Sequence, residues 1–371
     1  MPNSKNHPLV SHQPIKLLFQ LTYLGTVVAR LPIWIIASLV PALRPHPEWT
    51  AKQTFLARVA HVVTDLDSRI GITQTLSLEP QKEGSRFRLV KPLPREFFSG
   101  PLESDIEPET VGGTWYPEAP SAPEIASKTV ILHLHGGAFV LGDGRTEFSG
   151  FTGKNFVEQE GLDYVFMPQY RLSGYRGVNP FPAALQDCFA AYMYLLNDLK
   201  IPSNHITLSG DSAGGNLVIA MLRYIEERGD RLKIPRPRAI ALLSPWVSPM
   251  EFDIADKPNR AVDYTPTSFL RWGAETYPGH VSHARSHPYI TPLGNPFATW
   301  VPIFVNTGSA EVFLDDNTRW VDEMKKVEGN SVELHLENAA VHDTFLIGER
   351  LGFDASARDV ASVLRDFVRK A

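Results

Sequence analysis

Ile206-Thr207-Leu208-Ser209-Gly210-Asp211-Ser212-Ala213-Gly214 decides the fold of this chain. Ile206–Ser209 reads as a β-strand. The Gly210–Gly214 pentapeptide turns it sharply into a helix, the form of a nucleophile elbow. A serine hydroxyl is a weak nucleophile at its own pKa, so it needs exposure on a strained turn, a base within hydrogen-bond reach and donors for an oxyanion. Taken alone, the two glycines equally describe a tight turn without chemistry. The elbow therefore demands partners elsewhere.

The first lies upstream. Thr129-Val130-Ile131-Leu132-His133-Leu134 is an apolar run of strand type that ends in His135-Gly136-Gly137-Ala138-Phe139. Glycines at a strand end let backbone N–H groups reach a cleft without Cβ obstruction. The N–H groups of Gly136, Gly137 and Ala213 are the candidate oxyanion donors. The His-Gly-Gly segment followed by Gly-Asp-Ser-Ala-Gly-Gly resembles the hormone-sensitive-lipase-like group of α/β-hydrolases. Here Ala138 stands where many members have a third glycine. Tyr170-Arg171-Leu172, Pro180-Phe181-Pro182-Ala183-Ala184-Leu185-Gln186-Asp187 and Ser244-Pro245-Trp246 extend the likeness, whereas Gln169 replaces a frequent aspartate. The resemblance implies an α/β-hydrolase fold, with a mainly parallel central sheet flanked by helices and covered by a helical cap. It also implies a serine carboxylic-ester hydrolase that acts on a small-molecule ester with no metal and no cofactor.

Acid and base should follow in the order serine, acid, histidine. Val301–Gly308 reads as a late core strand, and the loop beyond it carries Glu311, Asp315 and Asp316. Asp315 and Asp316 fall where a helix begins and suit its first turn, which leaves Glu311 as the favoured acid and Asp315 as the alternative. The resemblance gives the same choice, with glutamate in place of the commoner aspartate. Ser331–Glu337 alternates as a strand should, and His342 lies in the loop after it. Most of the twelve histidines are expected to serve surface or capping roles. His342 stands where the family has its catalytic histidine, and its neighbour Asp343 stands where glycine is common. The expected catalytic set is Ser212, Glu311 and His342.

The 371 residues suit one large α/β core with added segments. Residues 71–247 and 289–371 supply the core, 248–288 an insertion, and 1–70 an N-terminal segment that folds with that insertion as the cap. Helices are expected at Pro182–Leu199, Ala213–Arg228, Asp316–Val327 and Ala355–Lys370. Pro101–Pro123 reads as a loop with short extended pieces. A net charge of −5 without a basic stripe argues against nucleic acid. The lone Cys188 and the lack of an Asn-x-Ser/Thr sequon point to a reducing, cytoplasmic setting. Cys188 lies in a helical apolar pattern and reads as a small core residue. The aromatics Trp246, Phe252, Phe269, Trp272 and Tyr277 either line a pocket or pack the cap's own core.

Leu17–Ala29 and Leu31–Leu43 are apolar and separated by Arg30. They read as two cap helices broken at Pro32 and Pro41. A membrane-contacting segment over residues 17–43 and a secretory signal are the alternatives. Arg30-Leu31-Pro32-Ile33-Trp34 and Arg44-Pro45 before Trp49-Thr50 resemble the caps of filamentous-fungal members. That likeness implies secondary metabolism, with deacetylase, lactone-hydrolase or thioesterase chemistry on a natural-product intermediate. The rival of another class is a ligand-binding protein on the hydrolase scaffold, against which the presence of both Ser212 and His342 argues.

Overall fold

The computed structural model describes residues 5–121, 125 and 127–371. Its centre is an eight-stranded sheet of β1 (Phe87–Val90), β2 (Val111–Tyr116), β3 (Val130–Leu134), β4 (Tyr164–Gln169), β5 (Ile206–Asp211), β6 (Ala239–Leu243), β7 (Ile303–Gly308) and β8 (Val332–Glu337). The spatial order is β1-β2-β4-β3-β5-β6-β7-β8. β2 runs antiparallel to β1 and β4, and all other pairs are parallel. The parallel strands are near-continuous runs of apolar residues because helices cover both of their faces.

Side-chain alternation sends successive residues of one strand to opposite layers. Leu132 of β3 joins Leu208, Leu242 and Val305 beneath helices α4 (Ala183–Met193), α5 (Ser212–Leu232) and α7 (Leu314–Lys325). Its neighbour Ile131 joins Val165, Ala241 and Phe304 beneath α3 (Thr146–Val157), α8 (Thr344–Leu351) and α9 (Asp354–Lys370). Cys188 is wholly buried in the first layer, and burial pushes its thiol well above its ordinary pKa. The four helices expected from sequence occur within a few residues of their expected ends.

Two expectations are corrected. The Pro101–Pro123 stretch carries all of β2, every residue of which is buried, and its last two residues, 122 and 123, lie outside the described residues. At the N-terminus a single helix, α1 (Ile15–Leu39), runs through Pro32 rather than breaking there. Proline costs α1 one backbone hydrogen bond, but the carbonyl it frees lies on a helix with almost no buried residues. The chain turns only at Val40-Pro41, where Val40 takes the extended conformation that a following proline favours. α2 (Ala51–Ile70) then starts with a capping box between Thr50 and Gln53 and packs against both α1 and α6 (Thr267–Thr276).

Trp246, Trp272 and Tyr277 are fully buried, and Phe252 and Phe269 pack against the same core. Phe139 stacks on Tyr277 at 3.7 Å, and Trp246 stacks on Phe313 at 6.0 Å. The packing alternative therefore describes these aromatics.

Candidate active site

The elbow forms because its glycines leave room for three backbones to meet. A Cβ on Gly210 would sit 2.5 Å from the Gly214 carbonyl carbon, and one on Gly214 would sit 1.9 Å from Leu134 O. The close approach brings the end of β3 against the start of α5 and holds Ser212 at a φ of 48°. This left-handed conformation is strained for a residue with a side chain. His342 Nε2 lies 2.9 Å from Ser212 Oγ.

Glu311 follows β7 in the loop before α7 and is buried. One carboxylate oxygen accepts from Ser244 Oγ, and the other accepts from Thr307 Oγ1 and from Asn317 Nδ2 at 3.0 Å. Its Oε2 lies 3.7 Å from His342 Nδ1, within ion-pair range but beyond a hydrogen bond. Nδ1 has no hydrogen-bond partner among the described residues. Burial pushes the imidazole pKa down, but Glu311, Asp263 and Asp211 outweigh it and leave His342 above its ordinary value. Asp315 and Asp316 occupy the first turn of α7, and Asp316 is taken by Ser248 Oγ and Lys257 Nζ. Neither is paired with His342.

The oxyanion expectation needs a correction. The Gly136 N–H donates to Asp211 Oδ2 at 2.7 Å, so it is not a free donor. Glycine is required there for another reason: a Cβ would sit 2.3 Å from that same carboxylate oxygen and 3.1 Å from Ser212 Cβ. The three following residues, Gly137, Ala138 and Phe139, all have positive φ. Such a run turns the chain sharply after the β3 end, close to the elbow.

Asp211 is held on its other side by His133 Nε2 at 2.8 Å. Burial raises its pKa, but the hydrogen bonds from His133 and Asp343 keep it below the usual carboxylate value. Asp343 shows the converse, since burial and the Asp211 charge push its carboxyl well above the ordinary value. Asp343 also sits at a φ of 54°, a conformation open to glycine, and caps α8 through Leu346 N at 3.2 Å. Gln169, in place of an aspartate, accepts from Arg145 Nε at 3.2 Å and donates to Ser77 O at 2.7 Å. The amide thus donates as well as accepts, which a carboxylate cannot. Tyr170 stacks on His135 at 4.2 Å, and Arg171 forms a buried ion pair with Asp187 at 2.9 Å, so both are braces.

The sequence reading missed Asp263, in the segment between β6 and α6. Its buried carboxylate accepts from Val312 N at 2.8 Å and His342 N at 3.4 Å, joining the loops of Glu311 and His342. Burial pushes its pKa up to about 6, against the pull of the His342 charge. Thr307 and Asn317, donors on Glu311, were also missed, and Ser244 was read only as part of the Ser244-Pro245-Trp246 motif and not as a donor.

A cavity of about 520 Å³ between residues 72–78 and the loop after β4 contains none of the candidate catalytic residues. A second of about 260 Å³ is lined by Trp34, Trp49, Arg58, His61 and Asp263, and so reaches the residue that touches the His342 loop.

A family model described as an alpha/beta hydrolase fold matches residues 131–346. The chain is 30% identical over 190 residues to an acetyl-hydrolase of Streptomyces hygroscopicus, covering 50% of this chain and 58% of that protein. It is 25% identical over 224 residues to an esterase of Acinetobacter venetianus, covering 58% of this chain and 66% of that protein. Each match takes in less than two thirds of the relative's own length. A solved structure of a hormone-sensitive lipase from a metagenome library superposes with a TM-score of 0.57 at 25% identity, covering 70% of this chain and 82% of that one. The family match takes in more than half of the chain and includes the elbow and the loops of Glu311 and His342, so the chain belongs to the alpha/beta hydrolase family.

Proposed function

We propose that the protein is a serine hydrolase of the hormone-sensitive-lipase-like kind that cleaves small carboxylic esters through an acyl-enzyme. The observation that carries this reading is the 2.9 Å contact between His342 Nε2 and a serine hydroxyl on a strained turn. As Ser212 Oγ attacks the ester carbonyl, His342 takes its proton. The N–H groups of Gly137, Ala138 and Ala213 hold the oxyanion, and His342 then protonates the departing alcohol. Water repeats the sequence on the acyl-enzyme and releases the acid. Glu311 stabilises the imidazolium through its charge, while its three donors hold the carboxylate in place.

The N-terminal helices and the 248–288 insertion act as the cap. Supporting this, α2 packs on α6, and Asp65 accepts from Ser268 Oγ at 2.6 Å. The names acetyl-hydrolase and esterase carried by relatives favour short acyl esters. The fungal-type cap likeness extends the proposal to an ester, lactone or thioester on a natural-product intermediate. A kcat/KM panel of acetyl to octanoyl p-nitrophenyl esters, a lactone and a thioester would rank these choices.

The test of the reaction itself is mutation. Ser212→Ala and His342→Ala should each lower kcat for p-nitrophenyl acetate by about 10⁴-fold or more with the melting curve retained. Turnover retained in both variants would refute the triad. A fluorophosphonate probe should also label Ser212 in the wild type, whereas a ligand-binding scaffold with an unactivated serine would stay unlabelled.

A further inference from the structure

Helix α1 is apolar on both of its faces. The face it turns to the body carries Val27, Leu31, Trp34 and Ala37 beside Lys16, Gln20 and Tyr23, and Tyr23 Oη donates to Asp65 Oδ2 at 2.7 Å. The face it turns outward carries Leu18 and Ile33, each 67% exposed, with Leu21, Val28, Ile36 and Leu39 between and beyond them. Only Ser38 of its 25 residues is buried. A surface helix of a water-soluble domain places its apolar stripe against the core. Here a second apolar stripe faces away along a rod about 37 Å long, a continuous strip of the kind soluble monomers rarely expose.

Both ends of α1 are tied to the same body. Before it, Lys5 Nζ pairs with Glu275 at 2.7 Å, Arg176 N donates to Lys5 O at 2.9 Å, and Ser11 Oγ donates to Ile70 O. After it, Arg44 Nη1 donates to Trp49 O at 2.8 Å, and the buried Trp49 Nε1 donates to Ala339 O at 2.7 Å. A helix crossing a bilayer would have to withdraw one set of these contacts. One lying along the surface keeps both.

Charge supplies the remaining argument. α1 contains no Asp or Glu. Arg30, on α1, lines the 260 Å³ cavity with Arg58 and Arg260, and none of the three is in an ion pair among the described residues. In a chain of net charge −5 this is a local cationic patch beside an apolar strip, the combination that suits anionic headgroups over acyl chains.

We propose that α1 is an in-plane membrane helix. Its Leu/Ile/Val face lies at the acyl boundary of a bilayer, and Arg30, Arg58 and Arg260 meet anionic lipid headgroups. The inference concerns binding and stands independently of the role of Ser212.

The test is flotation of the full chain with vesicles of phosphatidylcholine, with and without phosphatidylserine. The wild type should float with both, more strongly when phosphatidylserine is present, and a carbonate wash should release it. The triple variant Leu21→Glu, Val28→Glu, Ile36→Glu should lose flotation at least tenfold while keeping its melting curve and its hydrolysis of soluble p-nitrophenyl butyrate. If that variant melts early, Arg30→Gln with Arg58→Gln serves instead. It should abolish only the phosphatidylserine enhancement. A wild type that stays with the dense fraction overturns the proposal, as does an apolar face covered by a second copy, seen as a dimer that the triple variant splits. Resistance to carbonate would overturn the in-plane orientation.

Discussion

At the scale of single residues the candidate site depends on buried carboxylates that differ in what holds them. Glu311 has three donors, Asp211 has His133 and the Gly136 amide, and Asp263 has the backbone N–H groups of Val312, His342 and Thr265. Asp263 bears on the pH profile. In the proposed mechanism His342 must be neutral to act as base, so kcat/KM should rise with pH along a limb set by its imidazole. The carboxylates around it raise that pKa, and Asp263 is one of them. Asp263→Asn removes one negative charge, so the acid limb should move to lower pH, as a pH series of kcat/KM for a p-nitrophenyl ester would measure. A merely structural role would lower activity at every pH and leave the limb in place. Ser212, Glu311 and His342 were legible because the chemistry fixes their residue types and chain order. Asp263 was not, because its task is to accept two N–H groups from loops remote in sequence. Gly136 was misread for a related reason: the pattern calls for glycine, but only coordinates reveal that its amide is already bonded to Asp211.

Among the elements, strands with dense apolar side chains announced themselves and β2 did not. Gly112 and Gly113 lie within it, and glycine weakens a strand pattern. The structure explains them, since the Phe87 ring lies where a Gly112 Cβ would be, at 2.1 Å, and the Phe166 ring lies 2.2 Å from a Gly113 Cβ. The strand is built from missing side chains that flanking rings fill. Gly113→Ala should therefore cost about 1–3 kcal/mol by overpacking, read as a lower midpoint in urea with the slope unchanged. A cost below about 0.5 kcal/mol would mean that the Phe166 ring moves aside freely. Pro32 misled in the opposite sense. Its local rule calls for a break, yet α1 continues because the lost bond falls on an exposed helix.

For the whole molecule, the N-terminal segment does more than cover the core. Trp49 packs in one cluster with Phe353, Ala339, Ala310, which precedes Glu311, and Val341, which precedes His342, and its indole N–H donates to Ala339 O. Trp49→Ala should cost about 3–5 kcal/mol and lower kcat more than it raises KM, since it loosens the loops that carry Glu311 and His342, the acid and base of the proposed mechanism. Unchanged kcat in a folded variant would show that those loops hold themselves. This dependence was invisible in the sequence, where Trp49 precedes Ala339 by 290 positions. The burial of Cys188 has a practical side. With the chain's only sulfhydryl enclosed and its thiolate disfavoured, the native protein offers maleimides almost nothing to react with. A cysteine introduced at Leu21 or at Trp300, which is 80% exposed, would then be a unique attachment point for a spin label or a dye, and a paired set could report the depth and tilt of the first helix with no background to subtract.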